Sequence, residues 1–233
     1  MSAVIESFPR TQALRNWRNS DILDRLRKSR EITHNIRHKG LVHELPSREA
    51  LQLVLDRLCA ALFPTHFGQA LFPNGSVDVF VASCLNDALP RLQEQVARSL
   101  QFDLVQREGD MELQRRAEAI TNGFAERLPE IRNILVSDFR AAYRGDPAAE
   151  TMAEIVLGYR GTLAIIYHRL AHELYARGVH LVARLISDIA LAATGIDIHP
   201  RPRLAKASSS ITAPVSSSAR RQRLARMSAS IRP

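Results

Sequence analysis

Between residues 47 and 193, apolar residues recur mostly three and four apart. Leu51, Val54, Leu55, Leu58 and Leu62 form one such set, which fits one face of a 3.6-residue helix. Pro46 and Ser47 stand just ahead of it, and Ser47 suits the N-cap, where its hydroxyl would accept from an unpaired amide. Pro64 and Gly68 should close that helix, and Asn74 with Gly75 marks a turn. Val81, Leu85, Leu89, Leu92 and Val96 predict a second helix over about 77–100. Pro90 should kink or split it, because proline offers no amide hydrogen. A third helix is expected over about 111–128. Pro129 suits the first turn of a fourth, which carries Ile131, Leu135, Phe139 and Ala142. Gly145, Asp146 and Pro147 break the pattern. Further helices follow over about 152–157, 162–177 and 179–193, with Gly178 as a C′ residue between the last two. No alternating strand pattern occurs before residue 195. The body is expected to be all-α, a packed bundle.

The two ends differ from this body. Residues 1–40 are polar and basic, with a weak helical pattern around Ile22, Leu23 and Leu26. They read as a partly helical or mobile extension ahead of a helical domain at 41–194. Residues 201–233 hold eight serines, no acid and no aromatic residue. Such a composition cannot bury enough surface to offset chain entropy, so disorder is expected.

Charge sharpens the division. The net charge of +8 comes from 32 basic and 24 acidic residues. Eight of the basic ones lie in the tail: Arg201, Arg203, Lys206, Arg220, Arg221, Arg223, Arg226 and Arg232. Residues 1–200 are therefore neutral. A basic tail could bind phosphates in a salt-sensitive way, but the neutral body and the lack of tail aromatics argue against nucleic acid as a partner. No run of 18 apolar residues is present, so no membrane span is expected. The N-terminal residues carry charge and no apolar core of a secretory signal. Cys59 and Cys84 fit no metal or redox spacing and read as buried or half-buried thiols of a reducing cytoplasm. His168 and His172 stand four apart on one helix, a spacing that can serve a metal. No third ligand accompanies them, so packing is expected there, and no metal.

Three segments carry a family likeness. They are GDPAA at 145–149, YHRLAHELYARG at 167–178 and TGIDIHP at 194–200. The earlier LPSREALQLVLDRLCAALFPTHFG agrees with them. Together they make residues 40–200 resemble the serine O-acetyltransferases that begin cysteine synthesis. The resemblance implies a helical N-terminal domain leading into a left-handed parallel β-helix of hexapeptide repeats. It also implies a trimer that binds acetyl-CoA between neighbouring β-helices, helical domains that join two trimers, and O-acetylserine sulfhydrylase as a partner of the intact enzyme. Residues 195–200 would lead into the first coil.

The implied reaction moves an acetyl group from acetyl-CoA to the hydroxyl of L-serine. That hydroxyl needs a base during attack, a role suited to histidine near neutral pKa. A carboxylate behind the histidine fixes its tautomer. By the resemblance, Asp197 is that catalytic carboxylate, although a loop aspartate bonding local backbone has the same look. Asp146 matches a carboxylate that contacts the serine substrate. It could equally be an N-cap before Pro147. His199 matches no assigned base, and a structural role is expected for it.

The chain departs from the family after Pro200. Residues 201–233 contain neither hexapeptide repeat nor the segment that carries the catalytic histidine, and a lone first coil cannot form a core. The fold expected of this chain is therefore the all-α N-terminal domain with the β-helix absent. No cofactor would be bound, acetyl-CoA being a co-substrate of the intact enzyme only. The alternative is a non-catalytic helical oligomerisation or interaction module that self-associates.

The tail itself suggests a cause. KASSSITAPVSSSARR, at 206–221, can be written in codons that translate, one base out of register, as ESFFIDHGTGVVIGET. The middle base of each recovered codon is the first base of a tail codon, and all sixteen agree. The histidine base would then lie under Thr212 and its neighbouring aspartate under Ile211. The expectation is a frame slip near residues 200–203.

Overall fold

Helix limits in the computed structural model follow from side chains that satisfy otherwise orphaned amides and carbonyls. The structure describes residues 20–33, 37–38, 41–42, 44–68, 77–103 and 110–201. They divide into two compact units, one ending at Glu44 and one beginning at Leu45. The turn expected at Asn74 and Gly75, and the tail beyond Arg201, lie outside the described residues.

In the first unit, α1 spans Ser20–Thr33. Its expected apolar residues do not make a core, for Ile22, Leu23 and Leu26 are all exposed. Arg27 donates to Asp24 one turn earlier at 2.7 Å. Two short strands, β1 (Arg37–His38) and β2 (Leu41–Val42), pair antiparallel. The sequence pattern gave no sign of them, since two residues are too few to show alternation.

The second unit is all helical among its described residues, with no strand and no β-helix coil. Helix α2 (Arg48–Leu62) starts as expected, with the Ser47 hydroxyl accepting from the Ala50 amide. The amide of Ser47 donates to the side chain of the buried Gln95 at 2.7 Å. Leu51, Val54, Leu55, Leu58 and Leu62 are all buried. Each contributes about 1.5–3 kcal/mol relative to exposure. Pro64 does not simply end this helix. It opens a single further turn, α3 (Pro64–Phe67).

Helix α4 (Val77–Asp103) runs through Pro90, which is exposed, and is not split there. Helix α5 (Asp110–Gly145) also corrects the sequence reading, because the expected third and fourth helices are one. Interior proline costs about 3 kcal/mol. Against that, Leu113, Ala117, Phe124 and Leu128 before Pro129, and Ile131, Leu135, Phe139 and Ala142 after it, are buried in one core. Burial on both sides exceeds the cost of the missing hydrogen bond, so tertiary packing overrides the local break.

Helices α6 (Met152–Gly158), α7 (Arg160–Ala176) and α8 (His180–Thr194) complete the unit. Buried residues occur on every side of α7, from Gly161 to Leu174, as befits a central helix. It packs chiefly on α8, as α2 does on α4. Arg169 of α7 holds Asp138 of α5 through Nε at 3.2 Å and Nη2 at 2.9 Å, both groups being buried. Gly178 takes φ +82° at C′. There its amide donates to the Tyr175 carbonyl and that of Val179 to Leu174, closing α7 with a Schellman motif.

Candidate functional site

The segment between α5 and α7 is held by side chains at each step. The Asp146 amide ends α5 by donating to the Ala142 carbonyl at 3.1 Å. Pro147 then has no amide to place, and the Ala148 amide reaches back to Asp146 Oδ1 at 2.9 Å. This is an Asx turn. No helix begins at Pro147, so the N-cap alternative for Asp146 does not describe it. The next N-cap is Thr151, whose hydroxyl accepts from Glu154. The Glu154 carboxylate in turn accepts from the Glu150 amide at 2.9 Å.

The second oxygen of Asp146 accepts from the Tyr159 hydroxyl at 2.7 Å. Tyr159 precedes α7, and the Thr162 amide donates to its carbonyl. Thr162 also donates its hydroxyl to the Ile155 carbonyl at 2.6 Å, tying α6 to α7. The tyrosine hydroxyl, and next the Ala148 amide, hold the Asp146 carboxyl below the usual carboxylate range against the opposing effect of burial. The same bond, followed by burial and the charges of Asp146 and Glu154, pushes the Tyr159 phenol up to about 12. Asp146 is thus an oriented, half-buried, ionised carboxylate at neutral pH.

Asp197 is placed differently. Gly195, at φ +76°, turns the chain off α8. Asp197 itself is exposed, with no hydrogen bond or ion pair among the described residues. Its neighbours are fixed to the body. Ile198 packs on the core, and Pro200 is buried with its carbonyl 2.8 Å from His172 Nδ1. A carbonyl can only accept, so His172 Nδ1 carries the proton. His199 is exposed and accepts from the Arg201 amide at 3.1 Å. Its ring meets Tyr175 edge-on at 6.1 Å between centroids. No bond links Asp146 to Asp197.

Comparison with known proteins shows what these helices resemble. Residues 77–166 match the family model described as serine acetyltransferase, N-terminal. The serine acetyltransferase, plasmid, of Synechococcus elongatus is 40% identical over 199 residues, covering 82% of this chain and 61% of that protein. The helical body is similar to the N-terminal part of serine acetyltransferases.

The serine acetyltransferase of Mycobacterium tuberculosis is 48% identical over a shorter stretch of 63 residues, or 27% of this chain and 28% of that protein. Among solved structures, Entamoeba histolytica serine acetyltransferase 1 in complex with L-cysteine superposes with a TM-score of 0.52 at 27% identity. That match covers 68% of this chain and 51% of the other. The chain thus spans about three-fifths of the length of the Synechococcus relative and less of the others. The matched serine acetyltransferase segment contains Asp146 and Tyr159 and stops short of Asp197 and His199.

His168 and His172 stack with centroids 6.0 Å apart, yet no three-residue metal cluster occurs among the described residues. Neither ring nitrogen of the buried His168 has a hydrogen-bond partner among the described residues, and burial, then Arg169 and His172, lowers its pKa to about 4. Cys59 and Cys84 are buried free thiols, and burial pushes Cys59 up to about 12. No described helix is long and apolar enough to cross a membrane. Sequence reasoning missed Tyr159 as the partner of Asp146. The two are 13 positions apart across a turn and a short helix, and no periodic signal spans that gap.

Proposed function

We propose that residues 41–194 are the helical domain of a serine O-acetyltransferase, which converts acetyl-CoA and L-serine to O-acetyl-L-serine and coenzyme A, and that 195–200 are the entry to its β-helix. The observation that carries the reading is the extended identity to the Synechococcus enzyme, 40% over 199 residues. The oriented carboxylate of Asp146 supports a contact with the substrate ammonium group, because an ionised acceptor makes the stronger charge-assisted bond. Asp197 would orient the imidazole that accepts the serine proton. The solvent-facing position of Asp197 is compatible with a partner that lies outside the described residues.

In this reading the histidine is encoded by the tail codons in the neighbouring frame, and the chain as translated does not acetylate serine. A cytoplasmic setting and O-acetylserine sulfhydrylase as a partner of the in-frame enzyme belong to the same reading. Self-association through the helical body is supported by large apolar residues left exposed, including Leu53, Val79, Met111 and Leu157. Those residues also favour the second reading, an interaction module without chemistry.

Two measurements separate the readings. Serine-dependent release of coenzyme A, followed with a thiol reagent, should not exceed the enzyme-free rate for the 233-residue chain. The nucleotide sequence should encode the histidine segment one base out of register, and restoring the frame near codon 201 should yield an active acetyltransferase. Release by the unrestored chain refutes inactivity. Tail codons that do not encode that segment refute the frame slip and favour the interaction module.

A further inference from the structure

A cavity of about 300 Å³ opens where α3, α5 and α6 meet, with Phe63, Val136, Phe139 and Val156 among its apolar lining. Three basic side chains complete the lining, His66, Arg132 and Arg140, and among the described residues no acidic one does. Arg48, Arg57, Arg91, Arg127 and Arg177 elsewhere on the unit all stand in ion pairs. Arg140 has no hydrogen bond or ion pair among the described residues. Other arginines of the unit, Arg144, Arg160 and Arg184, also stand in no ion pair among the described residues, and what marks this place is that two arginines share one apolar floor.

Arg132 is held but not neutralised. Its Nε donates to the Leu62 carbonyl at 2.8 Å, capping α2, and its guanidinium lies 5.4 Å from the centre of the Phe63 ring. The terminal nitrogens have no partner among the described residues. A guanidinium fixed through Nε and stacked on an aromatic ring is pre-organised, so little rotamer freedom is lost when an anion binds. Arg132, Val136 and Arg140 are spaced by four, which puts them on one face of α5. The two guanidinium-bearing residues are roughly 12 Å apart along the axis. Long side chains from both can meet over the apolar floor between them.

We propose that this cavity binds a small organic carboxylate. Its apolar body rests on Phe63, Val136, Phe139 and Val156, and its charge is held by Arg132 and Arg140. The volume suits a single ring or a branched aliphatic group. Neither Asp146 nor Asp197 lines the cavity, so the proposal does not depend on the reading of those residues.

Phenylacetate is a suitable probe, with the neutral isostere phenylacetamide as its control. Both would be titrated into the isotope-labelled full chain, and amide resonances followed. Phenylacetate should shift the resonances of Phe63, His66, Val136, Arg140 and Val156 saturably, with a Kd of about 1 mM or tighter. The amide should bind at least about tenfold more weakly, since it lacks the charge. Arg140→Gln should weaken phenylacetate by about tenfold, and Arg140→Lys should recover part of the loss. Arg140 is exposed, so its variants should keep the helical circular dichroism of the parent. Equal binding of acid and amide, an unchanged Kd in Arg140→Gln, or shifts centred elsewhere would each overturn the proposal. So would the absence of saturable shifts up to about 10 mM.

Discussion

Removing the carboxylate of Asp138 should be the most damaging single change to the helical unit. Asp138 is fully buried, and both bonds from Arg169 fall on its Oδ2, at 3.2 and 2.9 Å. Asp138→Ala leaves the buried guanidinium without this counter-charge. Breaking one side of a buried pair costs about 3–5 kcal/mol, against a total stability of about 5–15 kcal/mol for a domain. The consequence should reach the candidate site, because α5 ends at Gly145, next to Asp146, and α7 begins after Tyr159. In urea, with a slope of about 2 kcal/mol/M, the midpoint should fall by about 1.5–2.5 M. Asp138→Asn, which keeps one oxygen acceptor, should lose less. Asp138→Ala with Arg169→Met should recover part of the loss, since no unpaired charge is left buried. Added salt should change these differences little, because the pair is shielded from solvent. A midpoint shift in Asp138→Ala equivalent to under about 1 kcal/mol would show that the pair does not hold α5 to α7 as described.

Two titrations probe other groups. His168, lowered to about 4 by burial, resists protonation in the fold more than in the unfolded chain. Between about pH 6.5 and 4 the unfolded state binds the extra proton, so stability falls as pH falls through that window, by up to about 3 kcal/mol. His168→Phe should flatten that part of a stability-against-pH curve, and an unchanged slope would contradict the assignment. Asp146 is depressed chiefly by the Tyr159 hydroxyl, so its contribution is present above the unfolded carboxyl pKa and fades as pH falls through the lower folded value. In Tyr159→Phe the carboxyl carbon resonance of Asp146 should titrate at higher pH than in the parent. An unmoved midpoint would mean the 2.7 Å bond is not populated in solution.

The legible parts of the fold were those governed by neighbours in sequence. Ser47 as an N-cap and Gly178 at C′ could be read directly, because each rule acts within one turn of helix. The apolar stripe of α2 was equally plain. Pro129 misled, since its local preference for a first turn was outweighed by Phe124, Leu128, Ile131 and Leu135 burying on a common core. The strands at Arg37–His38 and Leu41–Val42 were too short to leave a period. Asp146 and Asp197 came to notice through the family segments they sit in. What holds Asp146 did not, because Tyr159 reaches it across a turn and a helix. The basic cavity was hidden for the same reason, as His66, Arg132 and Arg140 come from two separate helices.

The bond from His172 to the Pro200 carbonyl has a consequence for how the chain is made. With Ile198 on the core and Pro200 buried, the segment after α8 is anchored to the helical unit as far as Pro200. Domains generally fold as units while the ribosome is still elongating the chain. The anchor draws on no residue later than Pro200, so both of its partners belong to the same folding unit.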